Sequence, residues 1–208
     1  MWRRYGFVAA PLQSGTTGNY IGLACKAADA GYKLIVVLTG NLNLLRIQTQ
    51  MRVDEGFLGF DTQYPQRPGR EQFHIGAGCL PGAPRLKVIS LTTSGEHSDF
   101  GRQMASSAHI PVGDYPVVLV IKKNLRILQY VRKWIAELEG RTVPSGKKIV
   151  RGFPALVIDA DADNTVPDVA TANEEAELPR TNAAIRHLLD SFEKCAYVGY
   201  TRTPFTSI

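Results

Sequence analysis

Short, continuous apolar runs alternate along this chain with longer stretches in which apolar residues recur every third or fourth position. Continuous apolar runs are typical of strands that are covered on both faces, as in a parallel sheet. Strands are predicted at Tyr5–Ala10, Lys33–Thr39, Leu86–Leu91, Val117–Ile121, Ala155–Ile158 and Ala196–Tyr200. Strands that alternate with helices in this way predict an α/β fold built on a mainly parallel sheet.

The stretches with helical spacing lie between these strands. Helices are predicted at Thr17–Ala30, at Leu42–Asp54, at Asn124–Glu139 and from Thr181, the expected N-cap of the last helix. Irregular excursions are predicted near 56–84, 92–116 and 165–178, where Gly, Pro or acidic residues accumulate without a period. No internal repeat is present, so the chain is predicted to form a single domain over residues 1–208.

Composition narrows the class of protein without identifying a function. The chain has 208 residues, 44% of them hydrophobic, and a formal net charge of +5. No apolar stretch approaches the ~20 residues that a membrane helix needs, and no secretory signal is recognisable. Cys25, Cys79 and Cys195 show neither CxxC nor Cys/His spacing, so neither a zinc site nor a disulfide framework is indicated. We therefore expect a cytoplasmic protein with reduced thiols and no membrane partner.

A polar turn between the first strand and the first helix is the most informative segment. It contains Gln13, Ser14, Gly15, Thr16 and Thr17. In this context the backbone N–H groups of a turn converge and the helix N-terminus adds positive partial charge, which favours phosphate binding. We expect these five residues to bind a nucleotide, with the Thr17 hydroxyl offered to Mg²⁺. The alternative is a polar turn in which Thr17 or Ser14 caps the helix.

The turn departs from the usual phosphate-loop pattern, which ends in Gly-Lys-Ser/Thr. Thr16 stands where the lysine belongs, and Ala10 stands where the pattern has its first glycine. A lost charge-assisted hydrogen bond costs about 1.5–3 kcal/mol, or roughly 10- to 150-fold in affinity. The loss in rate is on the order of 100-fold or more, because the lysine also stabilises transition-state charge.

The strand that begins at Ala155 ends in alternating aspartates. Carboxylates at the carboxyl end of a parallel strand lie at the crevice where open α/β sheets bind ligands. We expect Asp159 to hold Mg²⁺ and Asp161 to orient or deprotonate an attacking water. The alternatives are a solvated acidic turn, or a metal nuclease that uses Asp159, Asp161 and Asp163 directly. The nuclease alternative is weaker, since no partner Lys or Glu lies at nuclease-like spacing.

Three segments, in this order, resemble the Z-one domain family of endonucleases, which have a helicase-like ATPase core. The family pattern Gln-Ser-Gly-Lys-Thr-x-Asn-Tyr matches residues 13–20, and Asp-Asp-Glu-Ala-Asp-Asn matches residues 159–164. Residues 197–205 match its Tyr-Val-Gly-Tyr-Thr-Ala-Thr-Pro-Phe segment, which looks like the coupling segment of superfamily-two motors. Taken alone, that last segment is also compatible with a strand followed by a proline-fixed turn. The departures are Thr16 for Lys, Ala160 for Asp, Asp161 for Glu and Arg202 for Ala.

The resemblance implies a three-layer, RecA-like P-loop NTPase lobe. It implies ATP and Mg²⁺ as cofactors, DNA as a partner, ATP hydrolysis as the reaction and a setting in restriction or phage defence. A superfamily-two motor also needs a second RecA-like lobe or a full-length parent chain, and we expect residues 1–208 to supply the first lobe only. Independent hydrolysis is therefore expected to be weak or absent. The alternative is a degenerate, non-catalytic module that binds DNA or a protein, for which the basic helix with Arg126, Arg132 and Lys133 is a candidate surface.

Overall fold

The computed structural model describes residues 2–9, 15–64, 73–82, 88–107, 115–138, 140–142, 148–162 and 172–201. The strands are β1 (Trp2–Ala9), β2 (Leu34–Thr39), β3 (Ile89–Ser90), β4 (Val117–Lys122), β5 (Gly140–Thr142), β6 (Lys148–Val150), β7 (Ala155–Asp159) and β8 (Lys194–Thr201). The helices are α1 (Thr16–Asp29), α2 (Asn43–Val53), α3 (Arg102–Ser107), α4 (Leu125–Glu137) and α5 (Ala172–Leu189).

Six of the strands form one sheet in the order β1-β8-β7-β2-β4-β3, and every neighbouring pair in it is parallel. All residues of β2 and β7 are buried, as are all but the last residue of β4. Their continuous apolar character therefore reflects cover on both faces of the sheet. The predicted α/β fold with a mainly parallel sheet is confirmed.

Side chains on the two faces of the sheet belong to two separate hydrophobic cores. Leu34, Val36 and Leu38 of β2 pack in a core with side chains of α4 and α5. Ile35 and Val37, which alternate with them along the same strand, pack in a core with side chains of α1. Because successive strand residues point to opposite faces, helices cover both sides of the sheet and form a three-layer α/β/α arrangement.

The start of the last helix differs from the prediction. Residues 172–178 were assigned to an irregular acidic excursion, but they form the first part of α5, and Thr181 lies inside this helix rather than at its N-cap. The acidic composition indicated an irregular segment up to Leu178, yet the helix runs through this segment and through Pro179. The apolar residues that follow, such as Leu188, are buried against α4 and the sheet, and this tertiary packing outweighs local propensity.

The excursions contain more structure than their composition indicates. A π-helical turn (Asp54–Leu58) extends α2, and a 3₁₀ turn (Gly76–Cys79) packs against it. The short helix α3 lies in the 92–116 segment, and β5 pairs with β6 as a small antiparallel sheet that had not been predicted. Within the described residues, no helix has both the length and the apolar character needed to cross a membrane.

A buried polar network anchors these segments to α2. The carboxylate of Asp54 is 1% exposed and accepts hydrogen bonds from the side chains of Gln50 and Thr62, and from the backbone N–H of Thr62. The amide oxygen of Gln50 in turn accepts a 2.7 Å hydrogen bond from the hydroxyl of Thr92. Since these groups have few alternative partners, the network holds the irregular segments in one arrangement.

Candidate functional site at the carboxyl edge of the sheet

Helix α1 begins close to the carboxyl end of β1. Its N-cap is Gly15, which has a left-handed conformation with φ of 75° and makes no side-chain capping bond. A residue with a Cβ adopts this φ at a cost, so glycine suits the turn. Thr17 is therefore not the N-cap, and Ser14 and Gln13 lie outside the described residues. The first-turn N–H groups of α1 point out of the helix at this edge of the sheet.

The start of α1 is tied to β8, the strand between β1 and β7. The hydroxyl of Tyr200 donates a 2.7 Å hydrogen bond to Oδ1 of Asn19, in the first turn of α1. The ring of Tyr20 packs edge-on against the ring of Tyr200, with 5.7 Å between centroids. Burial raises the pKa of Tyr20, and hydrogen bonds with the side chains of Thr17 and Thr49 oppose this effect.

Asp159 is the last residue of β7 and is fully buried. It is in register with Leu38 of β2 on one side and with Gly199 of β8 on the other. Since Ala9 of β1 pairs with Thr201, the ends of β1 and β7 lie on the same edge, separated by β8. Two strand spacings correspond to about 10 Å. The two motifs predicted to share a pocket therefore lie at one edge of the sheet.

The topology of the sheet creates a crevice at this edge. After β2 the chain continues towards β3 and β4, whereas after β7 it continues towards β8 on the opposite side. In open α/β sheets, ligands bind at the carboxyl ends of neighbouring strands whose connections diverge in this way. Gly40 follows β2 and Asp161 follows β7, and both therefore lie at this position.

Gly40 has no side chain, and the side chain of Asp161 lies beside the position that a Cβ at residue 40 would take. A Cβ at residue 40 would lie 2.9 Å from Oδ2 of Asp161 and 3.2 Å from Cδ1 of Leu45. Asp161 is half-buried, and its backbone N–H donates a 3.2 Å hydrogen bond to Oδ1 of Asp159. The two predicted acidic residues are therefore adjacent, as their spacing indicated. The third, Asp163, lies outside the described residues.

Lys123 is the residue of this site that the sequence analysis missed. It directly follows β4, and its side chain is 6% exposed. Its Nζ lies 2.9 Å and 3.0 Å from the two carboxylate oxygens of Asp159, and it also donates to the backbone carbonyl of Asp161. No role was predicted for this lysine, which directly precedes Asn124, the N-cap of α4. Its position directly after a buried strand was the available signal, since strand ends meet at one edge of a parallel sheet.

Tyr197 completes the surroundings of Asp159. Its hydroxyl donates a 2.9 Å hydrogen bond to Oδ2 of Asp159. Burial raises the pKa of Tyr197 well above its ordinary value, and the negative charge of Asp159 raises it further. The hydroxyl therefore stays protonated at neutral pH and acts as a donor.

The surroundings of Asp159 do not fit a bound Mg²⁺. A carboxylate offers about four lone-pair positions, and those of Asp159 accept from Lys123, Tyr197 and the N–H of Asp161. A divalent ion about 4 Å from the Lys123 ammonium would be repelled by roughly 8 kcal/mol at an effective dielectric constant of ~20. Among the described residues, no group of three or more His, Cys, Asp and Glu side chains could hold a metal. The Mg²⁺ assignment to Thr17 and Asp159 stays a prediction.

Comparisons of the chain with protein-family models, with curated proteins and with solved structures give no match. The resemblance to the Z-one domain family therefore depends on the three motifs in the sequence. Of these, residues 15–20, 159–162 and 197–201 are described by the structure, whereas Gln13, Ser14 and the segment from Arg202 onwards lie outside the described residues.

Proposed function

We propose that this protein is the nucleotide-binding, RecA-like lobe of an ATP-dependent, helicase-like DNA-processing protein of the Z-one domain family. The observation that supports this best is that the Gly15–Thr17 turn and the Asp159–Asp161 strand end lie at the same edge of the parallel sheet. A helix N-terminus and a strand-end crevice are the two parts from which nucleotide sites in α/β proteins are built. ATP is the ligand that this proposal assigns to the crevice.

The same residues argue that hydrolysis by this lobe alone is slow. Thr16 is short and neutral, so it supplies no charge to the β- and γ-phosphates. Asp159 already accepts hydrogen bonds from Lys123, from Tyr197 and from the backbone N–H of Asp161, so its lone-pair positions are taken. Asp161, the proposed residue for positioning water, carries a shorter side chain than the family's glutamate. A misplacement near 1 Å can cost ~100-fold in rate.

The ion pair between Lys123 and Asp159 also favours a second candidate function. An acidic strand end that is neutralised internally suits a non-catalytic module that binds DNA or a protein partner without hydrolysis. Exposed basic side chains on α4, namely Arg126, Arg132 and Lys133, supply positive charge for phosphate contacts in this alternative.

Calorimetry with Thr16→Lys tests the first proposal. ATP is titrated into the wild type and into the variant, each with and without Mg²⁺. Restoring the lysine is expected to tighten ATP binding by about 10- to 150-fold, because a charge-assisted hydrogen bond is regained. Gly22→Lys is the matched control, since it adds the same charge to α1 about 9 Å further along the helix axis. The proposal is wrong if Thr16→Lys binds ATP no better than Gly22→Lys.

Phosphate release separates the two candidate functions. If the lobe is an ATPase weakened by residue 16, Thr16→Lys is expected to hydrolyse ATP on the order of 100-fold faster than the wild type. If the lobe is a non-catalytic module, Thr16→Lys gains affinity for ATP but releases no phosphate above the rate without protein.

A further inference from the structure

Lys123 has the surroundings of a resident counter-ion rather than those of a surface lysine. Its ammonium has three N–H donors, and they are taken by both oxygens of Asp159 and by the carbonyl of Asp161. The side chains of Lys123 and Asp159 are 6% and 0% exposed, respectively. The neighbouring Lys122 is different: its Nζ lies 3.7 Å from Asp99, and its side chain is 25% exposed.

Three strands contribute to the position of this ammonium. The backbone N–H of Lys123 donates to the carbonyl of Thr39 and so continues the pairing of β4 with β2, while the side chain of Lys123 reaches Asp159 of β7. Asp159 is held at the end of β7 by its pairing with β2 and β8. The ammonium therefore lies at the crevice between β2 and β7. It contacts Asp159, the residue to which a metal ion had been assigned.

We propose that the ammonium of Lys123 takes the place of a divalent cation beside Asp159, so that this strand-end crevice binds its ligand without Mg²⁺ or Mn²⁺. A monovalent cation with three directed donors satisfies the buried carboxylate as a metal ion would. Unlike a metal ion, the ammonium cannot bind further oxygen atoms, since all three of its N–H groups already donate hydrogen bonds. The proposal concerns the crevice of the proposed function, and its test uses the metal ion alone, so either proposal can fail without the other.

Removing the Lys123 side chain is expected to open a metal site. Mn²⁺ is titrated into the full chain without nucleotide, and free Mn²⁺ is followed by electron paramagnetic resonance, with Mg²⁺ as a competitor. Lys123→Ala removes the contacting like charge and leaves room for an ion and its waters. We expect it to bind Mn²⁺ at least ~10-fold more tightly than the wild type. Lys122→Ala removes the neighbouring charge and is expected to behave as the wild type does.

The wild type decides the question even if Lys123→Ala does not fold. Asp159→Asn keeps the shape of residue 159 and removes its charge. If the wild type and Asp159→Asn take up Mn²⁺ equally, the crevice of the wild type holds no metal at Asp159, as proposed. If the wild type binds Mn²⁺ more tightly than Asp159→Asn, the proposal is overturned. It is also overturned if folded Lys123→Ala gains no affinity for Mn²⁺.

Discussion

The hydroxyl of Tyr200 donates a 2.7 Å hydrogen bond to Oδ1 of Asn19 and so connects the last strand of the sheet to the first turn of α1. Tyr200→Phe removes this bond and retains the packing of the ring. We expect a loss of about 0.5–1.5 kcal/mol in the free energy of unfolding, measured by urea denaturation. We also expect weaker ATP binding, because the turn that begins α1 is less well held. Tyr64→Phe, at a residue that is 66% exposed, is the control and should change neither quantity.

Substituting two glycines by alanine should have opposite effects. In Gly40→Ala the new Cβ meets Oδ2 of Asp161 at 2.9 Å, so the carboxylate must move. We expect a cost of about 1–3 kcal/mol in the free energy of unfolding. In Gly22→Ala the Cβ meets no atom within 4 Å, and α1 should become more stable by up to about 1 kcal/mol. The double variant Gly40→Ala with Asp161→Ala checks the cause: its loss should be smaller than the sum of the two single losses.

The ion pair at the crevice should show strong coupling. Lys123→Ala or Asp159→Ala leaves a buried charge without its partner, and each is expected to lower the free energy of unfolding by about 3–5 kcal/mol. Lys122→Ala removes a longer, partly exposed pair and is expected to cost less than about 1 kcal/mol. A double-mutant cycle by urea denaturation measures the coupling between Lys123 and Asp159. Additive effects of the two single variants would mean that they do not interact.

Asp54 should make stability depend on pH. Burial raises its pKa above the ordinary 3.8, while the hydrogen bonds from Gln50 and Thr62 oppose this change. The folded state therefore binds a proton at Asp54 more tightly than the unfolded state does. The resulting stabilisation is complete below the unfolded pKa and is lost as the pH rises through the folded pKa. Burial raises the pKa of Asp99 too, which gives a dependence of the same sign.

Urea denaturation across the pH range from about 4 to 7 measures this effect. Asp54→Asn cannot ionise, so the free energy of unfolding of the wild type, measured relative to that of this variant, should fall as the pH rises. Asp29→Asn changes an exposed residue and serves as the control. Parallel pH curves for the wild type and Asp54→Asn would contradict the assignment of the pH dependence to this carboxylate.

Under the second candidate function, DNA binding should depend on salt through the basic side chains of α4. Neutralising Arg126, Arg132 and Lys133 with alanine removes three exposed charges. For three lost phosphate contacts, the slope of log affinity against log salt concentration should become less steep by roughly 2–3. Fluorescence anisotropy with a labelled duplex measures this slope. An unchanged slope would place the DNA contacts elsewhere on the molecule.

The central strands could be predicted from the sequence because a strand that is buried on both faces consists of continuous apolar residues. The apolar residues of β2, β4 and β7 are continuous, and each of these strands lies where its run predicted. Asp159 at the end of β7 and Asp161 just after it could be placed at the carboxyl edge for the same reason. The small sheet of β5 and β6 could not be predicted, since each strand has only three residues and carries charged side chains.

The partner of Asp159 could not be predicted because it depends on the order of the strands. Hydrophobic periodicity identifies β4 and β7 but does not say that β2 alone lies between them. Only with that order can a lysine after β4 reach the end of β7. The spacing of Asp159 and Asp161 indicated a metal site. A pattern of carboxylates in a sequence identifies negative charge, but it does not identify the cation that neutralises this charge.

The pairing of β1 with β8 has a consequence for synthesis on the ribosome. Trp2 pairs with Lys194, so β1 is synthesised well before β8, the strand that it pairs with in the described part of the sheet. At 5–20 residues per second, this interval lasts about 10–40 s. During this time β1 is an unpaired strand that carries the aromatic rings of Trp2, Tyr5 and Phe7. An unpaired strand of this kind can pair with the same strand of another nascent chain. A chaperone that binds Trp2–Ala9 during this time would therefore be expected to raise the yield of folded protein.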